Sequence, residues 1–376
     1  MSVRDVALVP YSLRFRHPWP SADGPRDLRE GAILLLDEEE GATGFGDTAP
    51  WPGFGTETLA SSQAALALAA KFLVGLSADS YLEAIGQLPR LAPVATSPAA
   101  RYAIDLALHD LAAQRAGVPI ARLLGGERAL SQVSVNATIP RLDEKKTVQA
   151  ATSAVELGAR TIKVKVGGAA LGDDVARVAS LRGAVGPEIA IRLDANQAWS
   201  EAEAIEALGA LAAFDLEYVE QPVAAENLEG LARVRAKTGV PIAADEAVRD
   251  AETARRILAL GAADVIILKP MVLGGLHASL RVAALVREWG KEVVVTSLLE
   301  SPVGRAGALH LAAALGPSRH AHGVSTGLRF TSEQSGEDFD AVGSVPVPST
   351  PGLGVEFTAG ARAAAVRLAP AEREVS

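Results

Sequence analysis

TIKVKVGG, residues 161–168, sets two lysines two residues apart in an otherwise apolar, strand-like run. In a strand, residues i and i+2 share a face. Lys163 and Lys165 therefore project together, and Ile162, Val164 and Val166 project the other way. Taken alone, the stretch reads as an edge strand with a solvated lysine face. Its neighbours along the chain give the pair a different setting.

From about residue 130 the sequence alternates between strand-like and helix-like segments. The strand candidates are VSVNATI, TIKVKV, IAIRLD, LEYVEQP, VPIAADE, DVIILKP, EVVVTS and, weakest, RHAHGV. Amphipathic stretches such as EAEAIEALGALAAF and AETARRILALG fall between them. The period is about 25–30 residues, the size of a βα unit. Eight such units predict a closed parallel (β/α)8-type barrel, a modified TIM barrel, over residues 129–329. An open doubly wound sheet is the competing architecture, but no glycine-rich fingerprint follows the first strand.

The first 60 residues are rich in strands and turns. VALVPYSLRF and GAILLLDEEEGATGFGD read as strands joined by the polar loop HPWPSADGPRDL. Helices follow, from Glu57 to Gly75 and over SPAARYAIDLALHDLAAQRAG. The second has Ser97 as candidate N-cap, Pro98 at its first position and Gly117 as its stop. Ala100, Ile104, Ala107, Leu108 and Leu111 form its apolar stripe. Together these elements predict an α+β capping domain over residues 1–128. The extended, proline-rich tail, residues 330–376, is expected to complete it.

Composition narrows the function classes. The chain has 376 residues, a formal charge of −9 and 49% hydrophobic residues. An acidic balance argues against nucleic acid, which wants clustered Lys and Arg. Glu38-Glu39-Glu40 before Gly41 reads as a solvated hairpin tip. With no cysteine, disulfides, thiolate nucleophiles and Cys-ligated zinc are excluded. The N-terminal residues lack a signal-type apolar core, and Lys71 breaks the best candidate for a membrane span. The expectation is a soluble, cytoplasmic protein, a homo-oligomer in one reading, whose partner is a small molecule.

In such a barrel the active site lies at the C-terminal ends of the strands. Lys163 and Lys165 lie on the second strand. Arg192 and Asp194 end the third, with Asn196 after them. Glu220 ends the fourth, before Gln221-Pro222, and Asp245 and Glu246 end the fifth. Lys269 ends the sixth; Thr296, Ser297 and Glu300 follow the seventh; His322 sits near the eighth. Each has an ordinary structural reading: a helix cap for Asp194, a turn residue for Glu220, a cap and first-turn acid for Asp245 and Glu246, a snorkelling lysine for Lys269, a satisfied core histidine for His322.

Together they point to chemistry. Three carboxylates on consecutive strand ends repel one another, and a divalent cation removes the repulsion. Oxygen ligands select a hard cation, Mg²⁺ by default with Mn²⁺ able to stand in. A nearby cation disfavours the ammonium form, so a flanking lysine can lose its proton and act as a base. A metal with opposed lysines suits removal of a proton α to a carboxylate. In this reading Lys165 is the acid/base, and Lys163 is a second cation that depresses its pKa.

The ordered set KVK (163–165), DANQAW (194–199), VEQP (219–222), ADE (244–246) and ILKP (267–270) resembles the enolase superfamily in its muconate lactonizing enzyme subgroup. The resemblance covers nearly the whole chain, capping domain included. It implies Asp194, Glu220 and Asp245 as metal ligands and Lys165 and Lys269 as the paired acid/base residues. Within the subgroup the sequence looks most like the o-succinylbenzoate synthases. GFGDTAPWPGFGTET (44–58) is similar to their capping segment, with Asp47 for a Glu and Trp51 for a Leu. TSLLESPVGRAGALH (296–310), HGVSTGLRF (322–330) and PGLGVEF (351–357) add local likeness. The Asp-x-Asp expected of dipeptide epimerases after the last strand is absent, which counts against a dipeptide substrate.

That resemblance implies a carbon–oxygen lyase of menaquinone biosynthesis. It would dehydrate 2-succinyl-6-hydroxy-2,4-cyclohexadiene-1-carboxylate to o-succinylbenzoate through a metal-stabilised enediolate. Lys165 would move the proton, and Lys269 would stay charged on the opposite face. Arg192, Ser297 and Trp19 are the candidate substrate contacts, with residues 16–26 as a lid. Arg192 has a structural alternative, as a partner for the metal ligands. The rival activities are an N-succinylamino acid or other N-acylamino acid racemase and a muconate-type cycloisomerase or epimerase. A non-catalytic binding barrel is the rival from another class; it predicts loss of a ligand or a lysine, and none is lost.

Overall fold

The computed structural model describes residues 1–19, 24–331, 340–355 and 362–369. Its N-terminal part is an antiparallel sheet of β1 (Val3–Trp19), β2 (Arg26–Glu38) and β3 (Thr43–Thr48). Both described ends of the segment read as a loop, HPWPSADGPRDL, are strand: β1 runs on to Trp19, which pairs with Arg26. The apolar run Ala32–Leu36 has no polar alternation because both faces of the sheet are buried. Val3, Val6, Leu8, Ala32, Leu34 and Leu36 pack on the helices Leu59–Leu73 and Pro98–Ala116. Ala7, Val9, Leu13, Phe15, Ile33 and Leu35 belong instead to the barrel's apolar core. Each fully buried aliphatic side chain of this kind stabilises by about 1.5–3 kcal/mol, so the cap is anchored to the barrel through shared core.

The helix Pro98–Ala116 buries the expected stripe, and also Tyr102 and Leu106 on its barrel side. Its start differs from expectation. Ser97 makes no side-chain cap. The amides of Ala99 and Ala100 donate instead to the Glu57 carboxylate, at 3.2 and 2.9 Å. A carboxylate brought from another element suits the positive helix end as well as a local hydroxyl does. Gly46 is required where β3 meets this helix, since a Cβ there would collide with the Ala103 carbonyl.

The second part is a parallel sheet. β4 (Gln132–Ser134) leads to β5 (Ala137–Ile139), β6 (Thr161–Lys165), β7 (Ala190–Asp194), β8 (Leu216–Glu220), β9 (Ile242–Ala244), β10 (Val265–Leu268) and β11 (Glu292–Val295). β5 to β11 lie side by side in chain order, with helices between successive strands. The eighth position is filled without a regular strand. His322 and Gly323 bridge the first and last strands: His322 N donates to Ser134 O, and Asn136 N to His322 O, at 2.8 and 3.0 Å. Gly323 N donates to Val295 O, and Ser297 N to Gly323 O, at 2.8 and 3.2 Å. These four bonds close the ring.

The tail is divided between the two parts. Ser344–Pro346 pairs with β4 beside the barrel, whereas Val366–Ala369 adds to β1 at the edge of the N-terminal sheet. Among the described residues no helix is long and apolar enough to cross a membrane.

Candidate active site

Register places the polar strand ends. Lys165 lies beside Asp194, and Asp194 beside Glu220. Asp245 follows two residues after Ala243, the neighbour of Glu220. Around the barrel mouth the order is Lys165, Asp194, Glu220, Asp245, Lys269, on β6 through β10. In a ring of eight, β6 and β10 are opposite each other. The two lysines thus stand across the mouth with an arc of three carboxylates between them.

The turns after β7 and β8 carry Asn196, Gln197 and Gln221 at φ of 43°, 66° and 38°. Non-glycine residues enter this region rarely, Asn more readily than most. Side-chain bonds support the strain. Gln221 Oε1 accepts from Asp245 N at 3.0 Å and Ala247 N at 3.3 Å, and Gln197 Oε1 accepts from Ala225 N at 2.9 Å.

The charged groups interlock. Lys163 Nζ donates to Glu220 Oε1 at 2.6 Å and lies 2.9 Å from Asp194 Oδ2. Lys165 Nζ donates to Asp194 Oδ2 at 2.7 Å and Asn196 Oδ1 at 2.5 Å. Asn196 Nδ2 in turn donates to Glu246 Oε1 at 3.1 Å. Lys269 Nζ donates to Asp245 Oδ1 and lies 4.9 Å from the ring centre of Phe54, a residue of the cap. Burial lowers the proton affinity of Lys163, but Asp194 and Glu220 outweigh it, and its pKa is well above the ordinary lysine value. In this arrangement Lys163 is held firmly charged by the carboxylates it bridges. Burial raises Asp194, yet Lys163 and Lys165 reverse this and hold it below the usual carboxylate range. Glu220 is pushed up to about 7 by burial and by the charge of Asp194. Burial also raises Asp245 and Glu246.

Four carboxylates thus face three ammonium groups, and Glu220 Oε2 and Glu246 Oε2 are buried without a hydrogen-bond partner. An oxygen-only donor set with an orphaned, under-neutralised carboxylate fits a hard cation. Among the described residues no three acidic or histidine groups already stand around one point. Lys163 and Lys269 lie on the oxygens a cation would take, so metal binding would require the ammonium groups to yield them.

The three expected substrate contacts differ in where they lie. Arg192 has no exposed surface. Its Nε and Nη2 donate to Glu217 at 2.5 and 3.2 Å, its Nη1 donates to Ala321 O at 2.7 Å, and it stacks on Tyr218. The register explains this: Ile191 pairs with Leu216 but Arg192 with Tyr218, so Glu217 is the extra residue of a bulge. His320 Nδ1 lies 2.6 Å from the same carboxylate. The expectation that Arg192 meets substrate is corrected to a structural link inside the barrel. Ser297 lies at the mouth, its Oγ 2.6 Å from Thr326 Oγ1. Trp19 is half-buried and stacks on Phe15, which stacks on Phe330. Of the expected lid, residues 20–23 lie outside the described residues. His322 is a satisfied core histidine: its Nδ1 accepts from Val295 N at 3.0 Å, and burial lowers its pKa to about 3.

The sequence reading places Asn196 and Glu246 at strand ends without giving them a role in the site, and it does not name Phe54. Asn196 clamps Lys165; its left-handed turn after a strand-ending Asp was the available signal. Glu246, read as a first-turn acid, is buried inside the site. Phe54 comes from the cap, more than 200 positions away, and nothing near Lys269 in sequence announces it.

Comparison with known proteins agrees with the fold. Residues 4–125 match the family described as mandelate racemase / muconate lactonizing enzyme, N-terminal domain, and residues 146–361 match enolase C-terminal domain-like. The hydrophobic dipeptide epimerase of Enterococcus faecalis is 35% identical over 84% of this chain and 88% of its own length. The crystal structure of the dipeptide epimerase from Enterococcus faecalis V583, complexed with Mg and the dipeptide L-Leu-L-Tyr, superposes with a TM-score of 0.87 at 32% identity. It covers 95% of this chain and 100% of that one. The o-succinylbenzoate synthase of Thermobifida fusca is 43% identical, but over only 52% of this chain and 59% of its own length. The expectation of a hydro-lyase most like the o-succinylbenzoate synthases is thereby overturned: dipeptide epimerases match over 76–95% of this chain, the synthases over 52–54%. The reason is chemical. The catalytic motifs serve proton abstraction in general and do not encode the substrate, and the segments that favoured the synthases (44–58, 296–310, 322–330 and 351–357) are local likenesses outside that set.

Proposed function

The chain belongs to the enolase superfamily, and from that premise we propose that it is an epimerase inverting the α-carbon of an N-acylated amino acid, in the first instance the C-terminal residue of a dipeptide. The observation that carries the reading is the pair Lys165 and Lys269, on opposite sides of the barrel mouth with Asp194, Glu220 and Asp245 between them. Inversion needs a base on one face of the α-carbon and an acid on the other, and dehydration on one face does not. The likeness to the dipeptide epimerases along nearly the whole chain supports it.

Asp194, Glu220 and Asp245 would hold Mg²⁺, which when bound supplies a hard positive charge for the substrate carboxylate. One lysine, neutral, takes the α-proton as the C–H bond breaks, and the electron pair spreads into the carboxylate. The opposite lysine, as an ammonium, returns a proton to the other face. No electron is gained or lost, and the substrate leaves with its configuration inverted. Without a bound cation, Asp194 and Glu220 hold Lys163 charged. Asn196 holds Lys165 at 2.5 Å and keeps its Nζ aimed.

A second reading, an N-succinyl or other N-acyl amino acid with no free ammonium, is favoured by one observation. The closing segment Gly323-Val324-Ser325 presents no carboxylate to pair with an amine. The test covers both: purified protein with Mg²⁺ in D₂O, offered L,L-dipeptides with apolar or acidic C-terminal residues and, separately, N-succinylamino acids. Deuterium at the α-carbon together with the inverted diastereomer or enantiomer is expected. No incorporation from any member of the panel would sink the proposal.

A further inference from the structure

The two acid/base lysines are held by different parts of the molecule. Both partners of Lys165, Asp194 and Asn196, belong to the barrel. Lys269 is fixed from one side by Asp245 and from another by the ring face of Phe54, 4.9 Å from its Nζ. Among the described residues no ring lies over Lys165.

Phe54 is set by its own segment. Pro52–Phe54 forms a single 3₁₀ turn, with Phe54 N donating to Trp51 O at 2.8 Å and Gly55 N to Pro52 O at 2.9 Å. Gly55 closes the turn at φ 83°, its α-hydrogen side facing Arg249 of the loop after β9. Trp51 meets Phe54 edge-on at 6.5 Å and carries Arg29 at 4.8 Å above its ring. Arg29 in turn donates to the carbonyls of Leu298 and Leu299, after β11, at 3.2 Å each, and to Ala49 and Pro50 beside Trp51. A continuous path thus runs from the loop after β11, through Arg29, Trp51 and Phe54, to Lys269.

We propose that Phe54 is a positioning residue through which the cap aims Lys269, so that one face of the proton transfer depends on the cap and the other does not. An aromatic face attracts an ammonium group within about 6 Å. The ring gives Nζ a contact that does not depend on the Asp245 oxygen a cation would take, and a small misplacement of a proton-transfer group slows catalysis by one to two orders of magnitude. A half-buried ring that merely shields the mouth would affect both faces alike.

The inference rests on the proposed epimerase reading, and the test separates the two. α-Proton exchange in D₂O is measured from each enantiomer of the reacting residue; a Lys269→Ala variant identifies which enantiomer uses which lysine. Phe54→Leu is expected to slow exchange on the Lys269 face about 10-fold through kcat, with the Lys165 face changed less than about twofold. Phe54→Tyr, which keeps the ring, should restore the Lys269 face. Equal loss on both faces, or no loss on either, overturns the proposal. If the wild type exchanges no substrate, the epimerase reading fails, and the contact is read by acylation with an amine-reactive reagent mapped by mass spectrometry. Against exposed Lys71 as internal standard, Lys269 should react at least about threefold faster in Phe54→Leu than in wild type, with Lys165 unchanged. Unchanged labelling of Lys269 overturns the inference independently of any substrate.

Discussion

Asp194 and Asp245 end barrel strands on either side of Glu220, yet their surroundings differ. Asp194 faces two ammonium groups, those of Lys163 and Lys165, and its proton affinity falls despite burial. Asp245 has Lys269 and, next to it, the carboxylate of Glu246, and burial raises it. The same side chain at equivalent strand ends is thus a firm anion on one side and an under-neutralised acid on the other. Surplus negative charge gathers over Glu220, Asp245 and Glu246, where a bound cation would gain most. The β7 side carries charge balanced by two ammonium groups; the β9 side sets two adjacent acids against one.

The largest test of this contrast removes each lysine in turn. Lys165→Ala and Lys269→Ala should each lower epimerisation by about 10²–10⁴-fold, the usual contribution of a positioned acid/base. Each should still exchange the α-proton of one enantiomer, and not the same one. Loss of all exchange in both variants would mean that the two sides do not work as independent faces.

The next test concerns the deeper layer. Arg192→Met would leave the partly buried Glu217 carboxylate with His320 Nδ1 as its remaining side-chain partner, and breaking a buried pair from one side costs about 3–5 kcal/mol. Burial raises Glu217, but His320 and Arg192 bring it down to about 2, so it is charged at neutral pH. Chemical denaturation should show the loss while KM for any substrate found stays near wild type. A large rise in KM with little loss of stability would return Arg192 to the substrate.

A pH experiment separates buried acids inside the site from one outside it. Glu300, between cap and barrel, is pushed up to about 7, by burial first and then by Asp47, and its Oε1 has no partner. A carboxyl raised in the folded state stabilises it below the unfolded value, near 4.5. That stability is lost as pH rises through about 7. The shift corresponds to about 3 kcal/mol. Thermal melts of metal-free wild type should rise from pH 8 to pH 5.5, and Glu300→Gln should flatten part of that slope. Mg²⁺ should flatten the part due to Glu220 and leave the Glu300 part in place. An unchanged slope in Glu300→Gln would show that Glu300 does not titrate in this range. Asp194 has the opposite sign: its stabilisation is present above the ordinary carboxylate range and is lost only in acid.

The smallest expected effect lies on the β7 side. Asn196→Ala removes one charge-assisted hydrogen bond on Lys165, worth about 1.5–3 kcal/mol. It should slow the Lys165 face roughly 10-fold through kcat with KM little moved, leaving the Lys269 face intact. This mirrors the Phe54 experiment across the site.

Periodicity was enough to foresee the barrel, because strand and helix repeats are local properties of the chain. The same holds for the strand-end row Lys165, Asp194, Glu220, Asp245, Lys269: alternation within a strand and the order of strands in a parallel barrel place those residues without tertiary detail. Arg192 was misread for a reason the chain alone does not display. Its face follows from alternation, but its partner depends on a bulge in the adjacent strand, which is a property of pairing. The Ser97 cap failed in the same way, since a carboxylate 40 residues earlier reached the helix first.

Sequence by itself determined the architecture and the identities of the charged groups at the mouth, since these rest on short-range repeats and intrinsic side-chain properties. Tertiary structure decided how those charges are shared. Lys163 bridges two carboxylates, Lys269 lies under a ring from the cap, and Glu246 is buried beside the arc. Electrostatic energy in a buried site depends on distances of a few ångströms and on the exclusion of water. Both are set only when distant segments pack, so no reading of neighbours along the chain can supply them.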